Sequence, residues 1–166
     1  MKNNFVELPI STRDGKFVAH YSEKGLAELN FPANGSRACK SADLPQISAK
    51  IRKWHRTTET ALKKILSGNE PEEFPPLDLA GTEFQRSVWN ALRKISAGKT
   101  KSYGEIAQAI GKPKAVRAVG GACGANPVPV LVPCHRVLAA NKKLGGFSGG
   151  LNWKRNLLKH EGISLP

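Results

Sequence analysis

The sequence predicts an α+β fold, with a small antiparallel sheet in the first half of the chain and helices in the second. Residues 4–32 contain three short apolar runs separated by turn residues, a pattern typical of a β-meander. Beyond residue 45 the apolar residues recur at three- and four-residue steps, the spacing of one helix face. The proline-rich, acidic stretch at residues 69–81 indicates a connector. We therefore predict one domain over residues 1–78 and a second over residues 79–166.

The N-terminal sheet is predicted from the runs NFVELPI, KFVAHYS and GLAELNF. Asp14-Gly15 and Lys24-Gly25 lie between these runs and supply the turns. A loop follows from Pro32 to Pro45, and a helix is predicted from about Pro45 to Leu66, where Gly68 ends it. The apolar face of this helix is formed by Ile47, Ile51, Trp54, Thr58, Leu62 and Ile65.

Two capping boxes mark helix starts in the second half. Thr82 with Gln85 opens one helix and Ser102 with Glu105 opens another, because each pair of side chains satisfies backbone N–H groups of the first turn. The apolar faces of these two helices are formed by Phe84, Val88, Trp89, Leu92 and Ile95, and by Ile106, Ala107 and Ile110.

Two further helices complete the predicted fold. Gly111 ends the preceding helix, and Pro113 suits the first turn of the next one, which would run to about Cys123. The last helix begins near Asn152 and is followed by Gly162. Its apolar face is formed by Trp153, Leu157 and Leu158.

The net charge of +13 is concentrated in the second half of the chain. Residues 1–78 contain 12 Lys/Arg and 10 Asp/Glu, whereas residues 79–166 contain 14 and 3. Surplus lysine can serve solubility alone, but a surplus this localised indicates a polyanionic partner. Nucleic acid fits better than a membrane, because no basic amphipathic helix with a large apolar face is present. Neither a signal peptide nor a membrane span is evident, so we expect a soluble protein that is cytoplasmic, or nuclear if its source is eukaryotic.

The helices on either side of Gly111 are candidates for a DNA-binding element. Two short helices joined by a three-residue turn match a helix-turn-helix, although an ordinary αα corner has the same pattern. Lys112, Lys114 and Arg117 cluster where a recognition helix meets DNA, which favours DNA binding. The remaining exposed positions of that helix are small, which suits close approach to a minor groove. They are Ala118, Gly120, Gly121 and Ala122.

The cysteines Cys39, Cys123 and Cys134 are an odd number with no Cys-x-x-Cys pair. This pattern argues against a disulfide framework and against a cysteine zinc site. A free thiol in a reducing compartment fits better.

The segment LVPCHRVL places Cys134 beside His135, after an apolar run that we expect to form a buried strand. Pro133 would turn the chain there, and the N–H groups and dipole of the turn favour a thiolate. His135 would take the thiol proton across a tight turn or through a water, and Glu161 is the best candidate for fixing its tautomer. The alternative is that Cys134 is an inert buried residue. Arg136 is expected to be structural, through an ion pair or backbone hydrogen bonds.

Four glycines in the six residues 145–150 predict a flexible loop or wing. This segment is either a simple hairpin turn or a lid that allows close approach of a ligand.

Six motifs in the second half match one known family in order. They are GTEFQRSVW at 81–89, SYGEIA at 102–107, KAVRAVGGA at 114–122, NPVPVLVPCHRV at 126–137, GGFSGGL at 145–151 and KHEG at 159–162. The chain thereby resembles the O6-alkylguanine-DNA alkyltransferases, also called methylated-DNA–protein-cysteine methyltransferases, for which the string VPCHRV is very specific. The resemblance implies a small N-terminal RNase H-like domain and a C-terminal winged helix-turn-helix domain.

The resemblance also implies the chemistry. Cys134 would attack the alkyl carbon of O6-alkylguanine or O4-alkylthymine in double-stranded DNA and keep the alkyl group, so that each molecule reacts once. His135 would act as base through a water, oriented by Glu161, and Tyr103 would give a proton to the leaving guanine. Asn126 would connect the recognition helix to the active-site strand. No cofactor is implied.

The implied partner is double-stranded DNA, bound through its minor groove by a monomer, either singly or cooperatively. The damaged base would rotate into a pocket while Arg117 fills the vacated space. Other implied DNA contacts are Lys114, Ala118, Gly120 and Tyr103. The implied pocket residues are Pro129, Val137, Phe147, Ser148 and Gly149. Phe147 departs from the tyrosine of many members, which removes a hydroxyl but keeps a ring wall.

We expect no metal site. Some animal members bind zinc through N-terminal cysteines and histidines, but that half of this chain offers only Cys39, His20 and His55.

Two other functions remain open at this point. A module that recognises alkylguanine without repairing it would lack the reactive cysteine, so Cys134 opposes it. A cysteine hydrolase of another fold would leave the basic helix-turn-helix without a purpose.

Overall fold

The first half of the chain folds into a three-stranded antiparallel sheet and one long helix. The computed structural model describes residues 4–33 and 46–165, so Cys39 and most of the predicted loop from Pro32 to Pro45 lie outside the described residues. The strands β1 (Val6–Thr12), β2 (Gly15–Tyr21) and β3 (Leu26–Asn30) pair in the order β1-β2-β3. The predicted β-meander is confirmed.

One face of this sheet is buried, because alternate side chains of each strand point to the same side. The register places Leu8 opposite Ala19 and Ile10 opposite Phe17, and all four residues are at most 2% exposed. This face forms the N-terminal part of the hydrophobic core.

Helix α1 (Ala49–Leu66) begins directly after Ser48. The Ser48 side chain accepts a hydrogen bond from the Ile51 N–H at 3.2 Å, which satisfies a donor of the first turn. The helix therefore starts about four residues later than the predicted start near Pro45. Its predicted apolar face is largely confirmed, because Ile51, Thr58, Leu62 and Ile65 are buried.

Residues 79–165 are all described and contain four α-helices. They are α2 (Glu83–Leu92), α3 (Tyr103–Ala109), α4 (Val116–Gly124) and α5 (Leu151–His160). Both predicted capping boxes are present with reciprocal hydrogen bonds. Ile95 lies beyond the end of α2 rather than on it, yet it is only 5% exposed.

Helix α4 begins later than predicted. Pro113 does not occupy its first turn, because the Ala115 N–H donates to the Lys112 carbonyl at 2.9 Å and closes a turn over Pro113 and Lys114. Proline is favoured at the second position of such a turn. The connection between α3 and α4 therefore spans residues 110–115 instead of three residues.

The buried strand predicted before Cys134 does not form. Pro127, Pro129 and Pro133 have no backbone N–H to give to a sheet, so the segment instead folds back on itself. The Val132 N–H donates to the Val128 carbonyl at 3.0 Å, and Val130 has a φ of +74°. The strand comes after the cysteine: β5 pairs in parallel with β4, a two-residue strand directly before α3. These strands are β4 (Lys101–Ser102) and β5 (Val137–Leu138).

Buried side chains from both halves of the chain belong to one contiguous hydrophobic cluster. The division at residues 78 and 79 remains a prediction. Among residues 4–33 and 46–165, no helix has both the length and the apolar character needed to cross a membrane.

Helices α1 and α5 approach each other at their C-terminal ends. Gly68, just after α1, has a φ of +83°, and a Cβ atom there would overlap the backbone carbonyl of His160. The His160 ring Nδ1 donates to the Leu66 carbonyl at 2.8 Å. This contact fixes the end of α5, which leads directly into Glu161.

We expect Gly68→Ala to destabilise the protein strongly, because it adds both backbone strain and a backbone overlap. Gly111→Ala is the matched control, since Gly111 has a φ of +73° but has no atom within 4 Å of an added Cβ. The control should lose about 1 kcal/mol of unfolding free energy, and Gly68→Ala at least about 3 kcal/mol, in urea titrations. Equal losses would show that the close approach of α1 and α5 is unimportant.

Candidate active site

Cys134 lies on the wall of a cleft in the second half of the chain. It is the first residue of a 3₁₀ turn (Cys134–Arg136) and is 4% exposed. The cleft has a volume of about 490 Å³, a size typical of small-ligand pockets. It is lined by Tyr103, Gly120, Cys123, Gly124, Cys134, Gly146, Phe147 and Ser148.

The Cys134 thiol is held by the amide of Asn126. Asn126 follows α4, and its Nδ2 donates to Cys134 Sγ at 3.2 Å and to the Val132 carbonyl at 2.8 Å. Its Oδ1 accepts from the Val128 N–H at 3.0 Å. All the polar groups of this side chain are therefore used to connect α4 with the segment that carries the cysteine.

The electrostatics of the site favour the neutral thiol rather than the predicted resting thiolate. Burial raises the pKa of Cys134, and the opposing effects of the Asn126 hydrogen bond and the Lys154 charge do not cancel that rise. A three-residue 3₁₀ turn is too short to supply a substantial helix dipole. Cys134 therefore needs a base to take its proton during a reaction.

His135 is fully buried and is suited to be that base. Its Nε2 lies 2.9 Å from Glu161 Oε1. Because an ionised carboxylate can only accept, Nε2 must carry the hydrogen and Nδ1 must carry the lone pair. Nδ1 has no hydrogen-bond partner among the described residues. Burial lowers the pKa of His135, so the imidazole is neutral near pH 7 and can accept a proton.

Glu161 stays ionised although its side chain is only 1% exposed. Burial alone would raise its pKa, but hydrogen bonds from His135 and Arg136 and the charge of Arg136 outweigh burial and lower the pKa to about 2. Glu161 also accepts a hydrogen bond from the Gly98 N–H at 3.2 Å. Glu161 therefore contacts the His135 ring, as its predicted role requires, and the role itself remains a prediction.

Arg136 has the structural position expected from the sequence. Its guanidinium is 4% exposed and donates to both carboxylate oxygens of Glu161 at 2.8–3.1 Å. It also donates to the Ile95 carbonyl and approaches Glu70 at 3.4 Å. Arg136 thus connects the cysteine turn to the segment that follows α2 and to Glu161.

Lys154 is a site residue that the sequence analysis did not single out. It is 0% exposed, and its Nζ donates to the Val137 carbonyl at 2.7 Å and to the Gly146 carbonyl at 3.3 Å. Its charge opposes the rise in the Cys134 pKa that burial causes. The spacing of residues in the last helix could have identified Lys154 from the sequence. At steps of three and four residues it shares one buried face with Leu157, Leu158 and Glu161.

Tyr103 lines the same cleft as Cys134. Burial raises its pKa, so its hydroxyl keeps its proton at neutral pH. A Cβ at Gly145 would lie 2.8 Å from the Tyr103 hydroxyl, which shows how closely the glycine-rich loop packs on this ring.

Of the five residues that the sequence analysis assigned to the substrate pocket, two line the cleft and three do not. Phe147 and Ser148 line the cleft. Pro129 and Val137 are buried outside the set of lining residues, and Val137 instead presents its carbonyl to Lys154. Gly149 packs against the ring of Phe31. The pocket roles of these last three residues remain predictions.

One face of α4 borders the cleft. Gly120, Cys123 and Gly124 line it, and Arg117 lies one turn earlier on the same face, at helix spacing from Gly120 and Gly124. Lys114, Arg117 and Ala118 are exposed. Arg117 is therefore accessible beside the cleft that contains Cys134, and Lys114 is accessible in the turn before α4.

Comparisons with known proteins identify the family of the chain. The family model for the DNA-binding domain of 6-O-methylguanine DNA methyltransferase matches residues 83–163. A methylated-DNA–protein-cysteine methyltransferase of Methanosarcina acetivorans is 44% identical, with 89% of this chain and 92% of the relative covered. The protein of the same name from Methanosarcina barkeri is 38% identical, with 99% of both chains covered.

Solved structures give the same result. The crystal structure of Mycobacterium tuberculosis OGT in complex with DNA is 39% identical, with a TM-score of 0.72, and 92% of this chain and 90% of that chain are covered. The Mycobacterium tuberculosis O6-methylguanine methyltransferase is 37% identical with the same TM-score, and 95% and 92% of the two chains are covered. The chain therefore belongs to the methylated-DNA–protein-cysteine methyltransferase family of DNA-binding repair enzymes.

Proposed function

We propose that this protein repairs O6-alkylguanine, and also O4-alkylthymine, in double-stranded DNA by moving the alkyl group irreversibly to Cys134. The observation that carries the proposal is the arrangement of Cys134 on a cleft wall next to the buried His135–Glu161 pair. This arrangement supplies a nucleophile, a neutral base and a carboxylate that orients the base. The cleft is large enough for a purine base.

Each proton transfer and each bond change of the proposed reaction can be assigned to a residue of the site. His135 Nδ1 accepts the Cys134 proton through a bridging water, because the imidazole is neutral and its Nε2 is occupied by Glu161. Sγ then forms a bond to the alkyl carbon while the bond from that carbon to guanine O6 breaks. Tyr103 gives a proton to the leaving guanine, which departs neutral. The thiol hydrogen thus replaces the alkyl group on the base, and Tyr103 is reprotonated from His135.

The product explains why each molecule would react once. A thioether has no good leaving group, and nothing in the proposed mechanism removes the alkyl group from sulfur. The protein is then consumed in stoichiometric amounts, without a cofactor.

DNA would bind on the side of the protein where α4 is exposed. In this proposal α3 and α4 act as a helix-turn-helix and place α4 in the minor groove, where small side chains permit close approach. Lys114 and Ala118 contact the backbone, and Arg117 enters the duplex as the damaged base rotates into the cleft. Ser148 and the ring of Phe147 contact the base there. A cytoplasmic monomer is sufficient for these steps.

The direct test is to weigh the protein after incubation with a duplex that contains O6-methylguanine. We expect one added methyl group, located on the peptide that carries Cys134, and an equal amount of guanine restored in the DNA. Cys134→Ala should abolish transfer but still shift the duplex in a gel, because the exposed face of α4 is unchanged.

Cys123→Ala is the matched control, since Cys123 lines the same cleft but burial raises its pKa to about 12, and the described residues show no hydrogen bond between it and a histidine or carboxylate. This variant should still accept one methyl group. If the wild-type protein binds the duplex and remains unmodified, the chain is a recognition module and the proposal is wrong.

A second test concerns Arg117. Arg117→Ala should slow repair of duplex DNA about tenfold or more, the scale expected when support for an unstacked base step is lost, yet leave the reaction with free O6-alkylguanine unchanged. Arg56→Ala, an equal loss of charge at an exposed position of α1, should alter neither rate. Quenched single-turnover assays measure both rates. Equal slowing on both substrates by Arg117→Ala would remove Arg117 from base rotation.

A further inference from the structure

We propose that Phe31, from the N-terminal half, positions the cleft wall formed by Phe147 and thereby helps to determine which alkylated bases the site accepts. The inference rests on the proposed alkyl transfer and assigns a role to the N-terminal sheet in it. Phe31 lies just after β3, far from the cleft motifs in sequence. It is a positioning residue in this account, since it acts through Phe147.

The two rings are in direct contact. The Phe31 and Phe147 centroids are 5.7 Å apart with an interplanar angle of 73°, the edge-to-face arrangement that aromatic pairs favour. Phe31 also lies 5.1 Å from Trp153 and 5.5 Å from Phe17. Phe147 therefore rests against a cluster of rings, which limits the orientations open to it.

The loop that carries Phe147 is held at two glycines. A Cβ at Gly149 would lie 2.6 Å from the Phe31 ring, and a Cβ at Gly145 would lie 2.8 Å from the Tyr103 hydroxyl. The loop backbone is thus pressed against one aromatic side chain from each half of the chain. Phe147 and Ser148, which line the cleft, lie between these two points.

Phe31 is itself rigidly supported. Phe17 on β2 is 0% exposed and contacts both Phe31 and Trp153. The Leu29 N–H donates to the Pro127 carbonyl at 2.9 Å, which connects β3 to the segment leading to Cys134. The sheet therefore forms a fixed base for the loop.

In this arrangement the residue that positions the bound base is separate from the residues that transfer the alkyl group. Cys134, His135 and Glu161 lie on other elements and do not contact Phe31 among the described aromatic and polar contacts. Removal of the Phe31 ring should let Phe147 move, so the base is held less tightly while the reaction of a bound base proceeds as before.

The experiment measures transfer to Cys134 from free O6-methylguanine and free O6-benzylguanine over a range of concentrations. For Phe31→Ala we expect the half-saturating concentration to rise about tenfold and the ratio of benzyl to methyl transfer to change, because loss of positioning acts on binding. The limiting rate should stay within about twofold. Phe31→Leu, which keeps apolar volume but no ring, should show a smaller effect in the same direction.

Phe5→Ala is the matched control. Phe5 is also a partly buried N-terminal phenylalanine, and its ring contacts His20 rather than the loop. It should behave as wild type in both assays. Thermal unfolding verifies that every variant is folded before it is assayed.

A double-mutant cycle distinguishes a role through Phe147 from general loosening of the fold. If Phe31 acts through Phe147, then Phe31→Ala adds nothing further to the binding loss of Phe147→Ala. Additive losses, or a Phe31→Ala variant with wild-type half-saturation and benzyl-to-methyl ratio, would overturn the inference. Absence of transfer in the wild-type protein would instead refute the proposed function.

Discussion

The arrangement of the site depends on one buried carboxylate, Glu161, shared by His135 and Arg136. Arg136 is a buried cation, and removal of Glu161 would leave it with only the half-exposed Glu70, 3.4 Å away, as a counter-charge. The cysteine turn must therefore stay against the end of α5, and the Gly98 N–H and Ile95 carbonyl bring the segment that follows α2 to the same point. The close contact of Gly68 with His160 keeps that end of α5 in place.

The same carboxylate decides the chemistry of its neighbour. An ionised Glu161 requires a hydrogen on His135 Nε2, so the Nδ1 lone pair is directed away from the carboxylate and is free to accept a proton. Meanwhile burial keeps Cys134 protonated, with Lys154 and Asn126 reducing the cost of the anion that forms during reaction. In the proposed transfer, which consumes the protein, this arrangement delays formation of the thiolate until base and substrate are both in place.

Local patterns predicted local structure well. Each capping box is formed by two residues only three positions apart, so the sequence alone was sufficient to predict it. Both helix starts were confirmed, at Thr82 with Gln85 and at Ser102 with Glu105. The segment before Cys134 was predicted wrongly, because its valines favour a strand while its three prolines cannot complete one. Pro113 was placed in a helix since proline suits a first turn and a β-turn equally well.

The contacts that complete the site come from residues distant in sequence. Glu161 was found because acids are scarce after residue 78, and Lys154 was missed although it lies on the same buried helix face. No local pattern links Phe31 to Phe147, since only the packing of the sheet against α5 and the glycine-rich loop brings them together.

Glu161 fixes the tautomer of His135, with the hydrogen on Nε2, while burial keeps the imidazole neutral. Nitrogen-15 NMR of histidine-labelled protein measures this tautomer directly. At pH 7 we expect His135 to show a protonated Nε2 and an unprotonated Nδ1, and this state should persist below pH 6.5 because burial lowers the pKa of the ring. An imidazolium at pH 7, or a hydrogen on Nδ1, would contradict the account.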